Sequence, residues 1–167
     1  MNIVKPPKKS ADRSDNDSTT LTWLLAQKEI EAVLADYAIG MDDRDTERLL
    51  SAFAEDAVLD AAKGVLEGHA AILEWAEEAF KAQTMAHLTG NHRIDIIDEK
   101  SAKGVGGGFG LSKLEDGTVV LAFARLIDRY SKINRKWRIS YRKIHLMSSF
   151  KLNDPIDLII NGILMKN

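Results

Sequence analysis

The sequence predicts an α+β domain in which three N-terminal helices pack on a strongly curved, mostly antiparallel sheet that encloses a pocket. Three observations carry this. Apolar residues recur at helical spacing as far as residue 82. From residue 84 the period changes to two and holds to residue 148. A cluster of glycines at 104–110 falls inside one of these strands, where glycine marks sharp bending or close backbone approach.

Residues 1–20 are rich in Lys, Pro, Ser and Asp and are expected to form a mobile arm ahead of a domain spanning 21–148. The first helix is expected from about Thr20 and Leu21 to Met41, with Ser18, Thr19 or Thr20 as cap. Ile30, Val33, Leu34, Tyr37, Ala38 and Met41 form one apolar stripe along it. Gly40 costs roughly 1 kcal/mol inside a helix and so belongs near its end. The stripe runs into Asp42, Asp43 and Asp45. A helix C-terminus carries partial negative charge, so an acid there needs a compensating cation. Asp45 can instead cap a short second helix, along which Leu49, Leu50 and Phe53 recur at helical spacing. Asp42 has no such duty.

Residues 57–67 read as a hairpin turning near Lys63 and Gly64, and 69–82 as a third helix with Ile72, Trp75, Ala76 and Ala79 on one side. In 86–98, His87, Thr89, Asn91, Arg93 and Asp95 alternate with Leu88, Gly90, His92, Ile94 and Ile96. The first polar residues of that face are placed either in water or in a wet internal pocket. The glycine-rich strand that follows fits neither phosphate-loop spacing, and no helix comes after it to meet a phosphate. Residues 118–132 suit a central strand. In 136–148, Trp137, Ile139 and Tyr141 are expected on the outer face, opposite Arg138, Ser140, Arg142, Ile144 and Leu146. Residues 149–167 are expected to be a helical docking tail: Asp154 as cap, Pro155 at the first position, then a stripe of Ile156, Ile159, Ile160, Ile163 and Leu164. That stripe and the outer face both need cover, so a homo-oligomer is expected.

A formal charge of −2 gives no electrostatic case for nucleic acid or an acidic membrane surface. The absence of cysteine excludes disulfides and thiolate chemistry. No apolar run approaches the roughly 20 residues of a membrane span, and the first twenty residues lack a secretory core, so a cytoplasmic location is expected. Four histidines leave a His/carboxylate metal site arithmetically open, but no metal or cofactor is called for.

YAIGMDDRD, LLSAFAEDAVLD, the glycine before the third helix, AHLTGN and KWRISYR resemble the SnoaL-like group of the nuclear transport factor 2-like superfamily, over residues 26–146. The subgroup it looks most like holds scytalone dehydratase and hexachlorocyclohexane dehydrochlorinase. The resemblance implies a cone-shaped α+β barrel, a cofactor-independent lyase or isomerase, and a trimer in this subgroup against dimers in much of the superfamily. It also implies a pair between Asp42, after the first helix, and His87, opening the third strand. Arg142, five residues beyond Trp137, and Asn91, four beyond His87, match the same pattern. Tyr37 occupies a helix position where the dehydrochlorinase pattern has a basic residue. The second pocket histidine of the dehydratase pattern has no counterpart in the glycine-rich strand.

The chemistry of these residues points the same way. A histidine is the natural base near neutral pH, and a carboxylate on one ring nitrogen fixes its tautomer. Arg142 would stabilise a leaving group or enolate oxygen, and Tyr37 would donate a proton or hydrogen bond. Asn91, Trp75 and Leu126 are the candidate substrate contacts in a mostly apolar pocket for a small hydrophobic molecule, cyclic or steroid-like. The plainer alternative is a non-catalytic ligand-binding module in which Asp42, His87 and Arg142 are a structural polar network.

Overall fold

The computed structural model describes residues 12–62, 64–152, 158–160 and 163–165, with side chains from Thr20 to Leu152. Helix α1 (Asp12–Asp42) lays Ile30, Val33, Leu34, Tyr37 and Met41 against the sheet. It begins eight residues before the expected start, so only residues 1–11 of the expected mobile arm lie outside the described residues. Helix α2 (Thr46–Ser51) is capped by Asp45, whose side chain accepts from the Arg48 amide. Gly40 lets these helices meet: a Cβ there would lie 2.6 Å from the Leu49 amide nitrogen. Phe53, expected in that helix, instead opens strand β1 (Phe53–Ala61), which turns back as β2 (Gly64–Glu67) before α3 (Gly68–Ala79).

The remaining strands are β3 (Thr84–Ile96), β4 (Ser101–Lys113), β5 (Val119–Ile133) and β6 (Lys136–Leu152). They complete a curved, unclosed sheet in the order β2-β1-β6-β5-β4-β3. Every neighbouring pair is antiparallel except β1 with β6. This is the mixed α+β architecture expected, with α1 packed on β3 and β6 and α3 on β1. The core gathers Ile30, Leu49, Phe53, Leu59, Ile72 and Ile139, all fully buried.

Two breaks in register decide which side chains face that core. In β3 the pairing shifts between Gly90 and Arg93, with Asn91 at φ 52. His87 and Thr89 therefore share the inner face with His92, Ile94 and Ile96, while Leu88 points outward, 70 % exposed. In β6 the shift falls between Ile139 and Tyr141. Trp137 and Ile139 are thereby core residues, not the outer face expected for them, and Arg142 joins them on the inside. The tail also differs from expectation. Leu158–Ile160 and Ile163–Met165 pair as a two-stranded antiparallel hairpin where a helix was expected. The sequence between them is Asn161-Gly162, the dipeptide that two-residue hairpin loops favour, and its flanks are β-branched. Asp154, Pro155 and Ile156 lie outside the described residues.

Candidate active site

The end of α1 and the start of β3 bring Asp42 and His87 together across 45 positions of sequence. Asp42 Oδ1 lies 2.6 Å from His87 Nδ1, and its Oδ2 accepts from the His87 backbone N–H at 2.8 Å. The acid at the helix C-terminus thus meets two donors from one residue, which answers the partial charge of the helix end. Nδ1 donates to Asp42, leaving Nε2 as the free nitrogen of the ring. It looks across at Gly110, where a Cβ would lie 3.5 Å away.

His87 lines a cavity of about 190 Å³. Its wall is otherwise mainly apolar: Tyr37 and Met41 from α1, Trp75 from α3, and Leu126, Ile144 and Leu146 from the strands. The glycines of β4 make the room. A Cβ at Gly108 would only touch Leu126, at 3.4 Å, but one at Gly106 would fall 2.0 Å from His92 Nδ1.

Behind the cavity lies a buried charged network. Arg142 is fully buried and pairs twice with Asp128, through Nε to Oδ1 and Nη2 to Oδ2, each at 2.8 Å. The Tyr130 hydroxyl donates to Asp128 Oδ2 at 2.8 Å. The guanidinium carbon lies 4.2 Å from the centre of the Tyr37 ring, a close cation–π contact, and Nη1 has no hydrogen-bond partner. Burial works against the Arg142 charge, but the Asp128 carboxylate overrides it and holds the pKa above its ordinary value. Burial raises the pKa of the Tyr37 phenol, with Arg142 partly opposing, so Tyr37 remains a proton donor at neutral pH. Among the described residues, no three His, Asp or Glu side chains gather as a metal site would require.

The SnoaL-like domain model matches residues 23–143. The chain belongs to the SnoaL-like domain family. Solved structures similar to this SnoaL-like chain include a type 2 hexachlorocyclohexane dehydrochlorinase, LinA, at 22 % identity and TM-score 0.78, covering 86 % of this chain and 99 % of that one. A candidate scytalone dehydratase of Novosphingobium aromaticivorans follows at 20 % identity and TM-score 0.74, covering 78 % and 90 %. The LinA-type3 dehydrochlorinase of Novosphingobium barchaimii LL02 is 21 % identical at TM-score 0.73, covering 80 % and 94 %. Among curated proteins none matches. Within this SnoaL-like fold no helix of the described residues is long and apolar enough to cross a membrane.

Of the residues expected at the site, Asp42 and His87 are in contact, and His87, Tyr37, Trp75 and Leu126 line the cavity. Asn91 does not join them. It is exposed at the β3 bulge, because the break in register turns it outward. Arg142 lies behind Tyr37 and is not among the cavity-lining residues. Two residues of this SnoaL-like site were not anticipated. Asp128 follows Leu126 and precedes Tyr130 on the inner face of β5, and all three are buried. An acid in that alternation demands a buried cation, a signal readable from the sequence. His92 was assigned to an apolar face without a role. It contacts the space over Gly106, and its Nε2 is buried with no partner.

Proposed function

We propose that this SnoaL-like protein is a cofactor-independent lyase that eliminates a leaving group, hydroxide or halide, from a small hydrophobic ring compound. The observation that supports it best is the 2.6 Å contact of Asp42 with His87 at the wall of an apolar cavity. His87 Nε2 takes a proton from the carbon beside the one bearing the leaving group. The released electron pair forms the carbon–carbon double bond, and the leaving group departs with the electrons of its own bond. Asp42 stabilises the imidazolium that results. The Tyr37 hydroxyl hydrogen-bonds the departing atom or an adjoining carbonyl oxygen, with Arg142 under its ring as the positioning cation. At about 190 Å³ the cavity is little larger than the roughly 150 Å³ that admits benzene, so a single ring is favoured over a steroid.

The test is turnover of a panel of cyclic β-hydroxy ketones and chlorinated cyclohexanes, followed by proton NMR of the products. Alkene formation by the wild type, reduced about 10²–10⁴-fold in His87→Ala, is expected for a general base. Equal activity in the variant removes His87 as the base. Products that keep the leaving group but move a double bond assign isomerisation instead. Tight binding of ring compounds with no turnover by the wild type makes the protein a binding module. We also propose a homo-oligomer, a trimer first, covering Phe123, Met147 and Phe150, which are 44, 59 and 54 % exposed. A monomeric mass by light scattering overturns that.

A further inference from the structure

We propose a second small-molecule site, specific for a planar anion such as an aromatic carboxylate or sulfonate, at the end of the sheet away from Asp42 and His87. A cavity of about 340 Å³ opens there between the first half of α1, the β3–β4 turn and the β5–β6 turn. It shares no lining residue with the cavity beside His87. Trp23 stands on it half-exposed, and Trp137 lines it almost wholly buried. Two indoles bordering one cavity suit a flat ring.

The cavity wall itself carries more cations than acids. Lys100, Lys132 and Arg135 line it, against Asp98 and Glu99. Asp98 is spent on its own turn, accepting from the Lys100 and Ser101 amides and the Ser101 hydroxyl. Lys132 is paired with Glu29 at 3.1 Å and lies 5.6 Å from the Trp137 ring centre. Lys100 and Arg135 have no hydrogen-bond or ion-pair partner for their side chains among the described residues, so their donors are open to a ligand, although Asp98 keeps its charge and acts on Lys100 through space.

Two further observations single out this place. The Trp137 indole Nε1 is buried without a hydrogen-bond partner, a spare donor on a residue that lines the cavity. Arg135 is held at φ 66 after Asn134 at φ 49, closing the two-residue turn between Ile133 and Lys136. The second position of such a turn favours glycine, and a long side chain there is a strained choice. The strain keeps a guanidinium at the cavity's edge, and strained residues gather at binding sites.

This site stands independently of the elimination proposed above. Its test is calorimetric titration of the full chain with naphthalene-2-sulfonate, together with the Trp137 indole N–H resonance, assigned with Trp137→Phe. Saturable single-site binding is expected, with a downfield shift of that resonance. Arg135→Gly removes the cation while placing in the turn the residue its φ prefers, so the variant is expected to melt no lower than the wild type. Combined with Lys100→Gln it should weaken binding at least tenfold. His87→Ala should leave the affinity within twofold. No saturable binding at millimolar probe, an unchanged affinity in the Arg135→Gly/Lys100→Gln protein, an unmoved Trp137 resonance, or loss of binding in His87→Ala each overturns the proposal.

Discussion

Replacing the buried pair Asp128–Arg142 one partner at a time should be far costlier than replacing both. Both side chains are essentially sealed from water, 2 and 0 % exposed, and share two 2.8 Å hydrogen bonds. Asp128→Leu strands a guanidinium whose Nη1 already lacks a partner. Arg142→Met leaves a carboxylate with only the Tyr130 hydroxyl. Breaking a buried pair from one side costs about 3–5 kcal/mol, because the remaining charge cannot be rehydrated. Against a typical domain stability of about 5–15 kcal/mol, either variant should be close to unfolding. Replacing both by apolar residues of similar volume is often neutral or stabilising, so the double variant should lie within about 2 kcal/mol of the wild type. Urea unfolding followed by circular dichroism, with the slopes compared for constancy, measures all four corners of the cycle. A double variant that costs the sum of the singles, or a single that costs under about 1 kcal/mol, refutes the account of a desolvated, mutually dependent pair.

Gly40→Ala should destabilise the fold by about 1–3 kcal/mol in the same assay, although alanine is the better helix former, because its Cβ would press on backbone. The atoms it meets are the Leu49 nitrogen at 2.6 Å and Cα at 2.8 Å, which cannot swing aside. Burial pushes the His92 pKa below its ordinary 6.5; Asp128 and Glu31 oppose this and Arg142 adds to it. Between the two values the unfolded chain holds more protons, so stability should be complete above pH 6.5 and fall as acid is added, a slope that His92→Gln should flatten in urea melts from pH 5 to 7.5. Tyr37→Phe keeps the ring that meets Arg142 and, edge-on, Phe53, and removes only the hydroxyl. If the hydroxyl stabilises the leaving group, turnover should drop about 10²–10³-fold with binding little changed, and undiminished turnover would remove it from the reaction.

Much of this was legible in the sequence because it follows from period and capping. The stripe on α1, the Asp45 cap, the hairpin at 57–67 and the long strands after the third helix all depend on local chemistry that a single chain displays. Asp42 was legible for a different reason: an acid at a helix end with no capping role has to find a donor elsewhere. The errors cluster where an alternation is interrupted. One extra residue at Asn91 and another at Ser140 exchange the two faces of β3 and β6, and nothing in a period-two count reveals an insertion. Trp137 and Ile139 were assigned outward for that reason, and Asn91 was assigned to the pocket. In the tail, the same isoleucines that fall at helical spacing are also β-branched, and Leu158–Ile160 pairs with Ile163–Met165 as strands.

The same two bulges decide how charge is distributed at the site. Without the break at Ser140, a strand carrying Trp137 and Ile139 inward would turn Arg142 out to solvent. With it, the guanidinium faces inward beside Asp128, beneath the ring of Tyr37. An arginine already neutralised by a carboxylate and sealed from the cavity is poorly placed to bind a leaving anion directly. Its field still reaches the phenol, where it opposes the effect of burial on the Tyr37 proton. Imidazole and guanidinium therefore lie at different depths: His87 on the cavity wall, Arg142 one layer behind it, with Tyr37 spanning the two. In the elimination proposed above, that layering would let an apolar cavity present a donor for developing negative charge without exposing a full cation to a hydrophobic substrate, whose binding would otherwise require the guanidinium to shed its water.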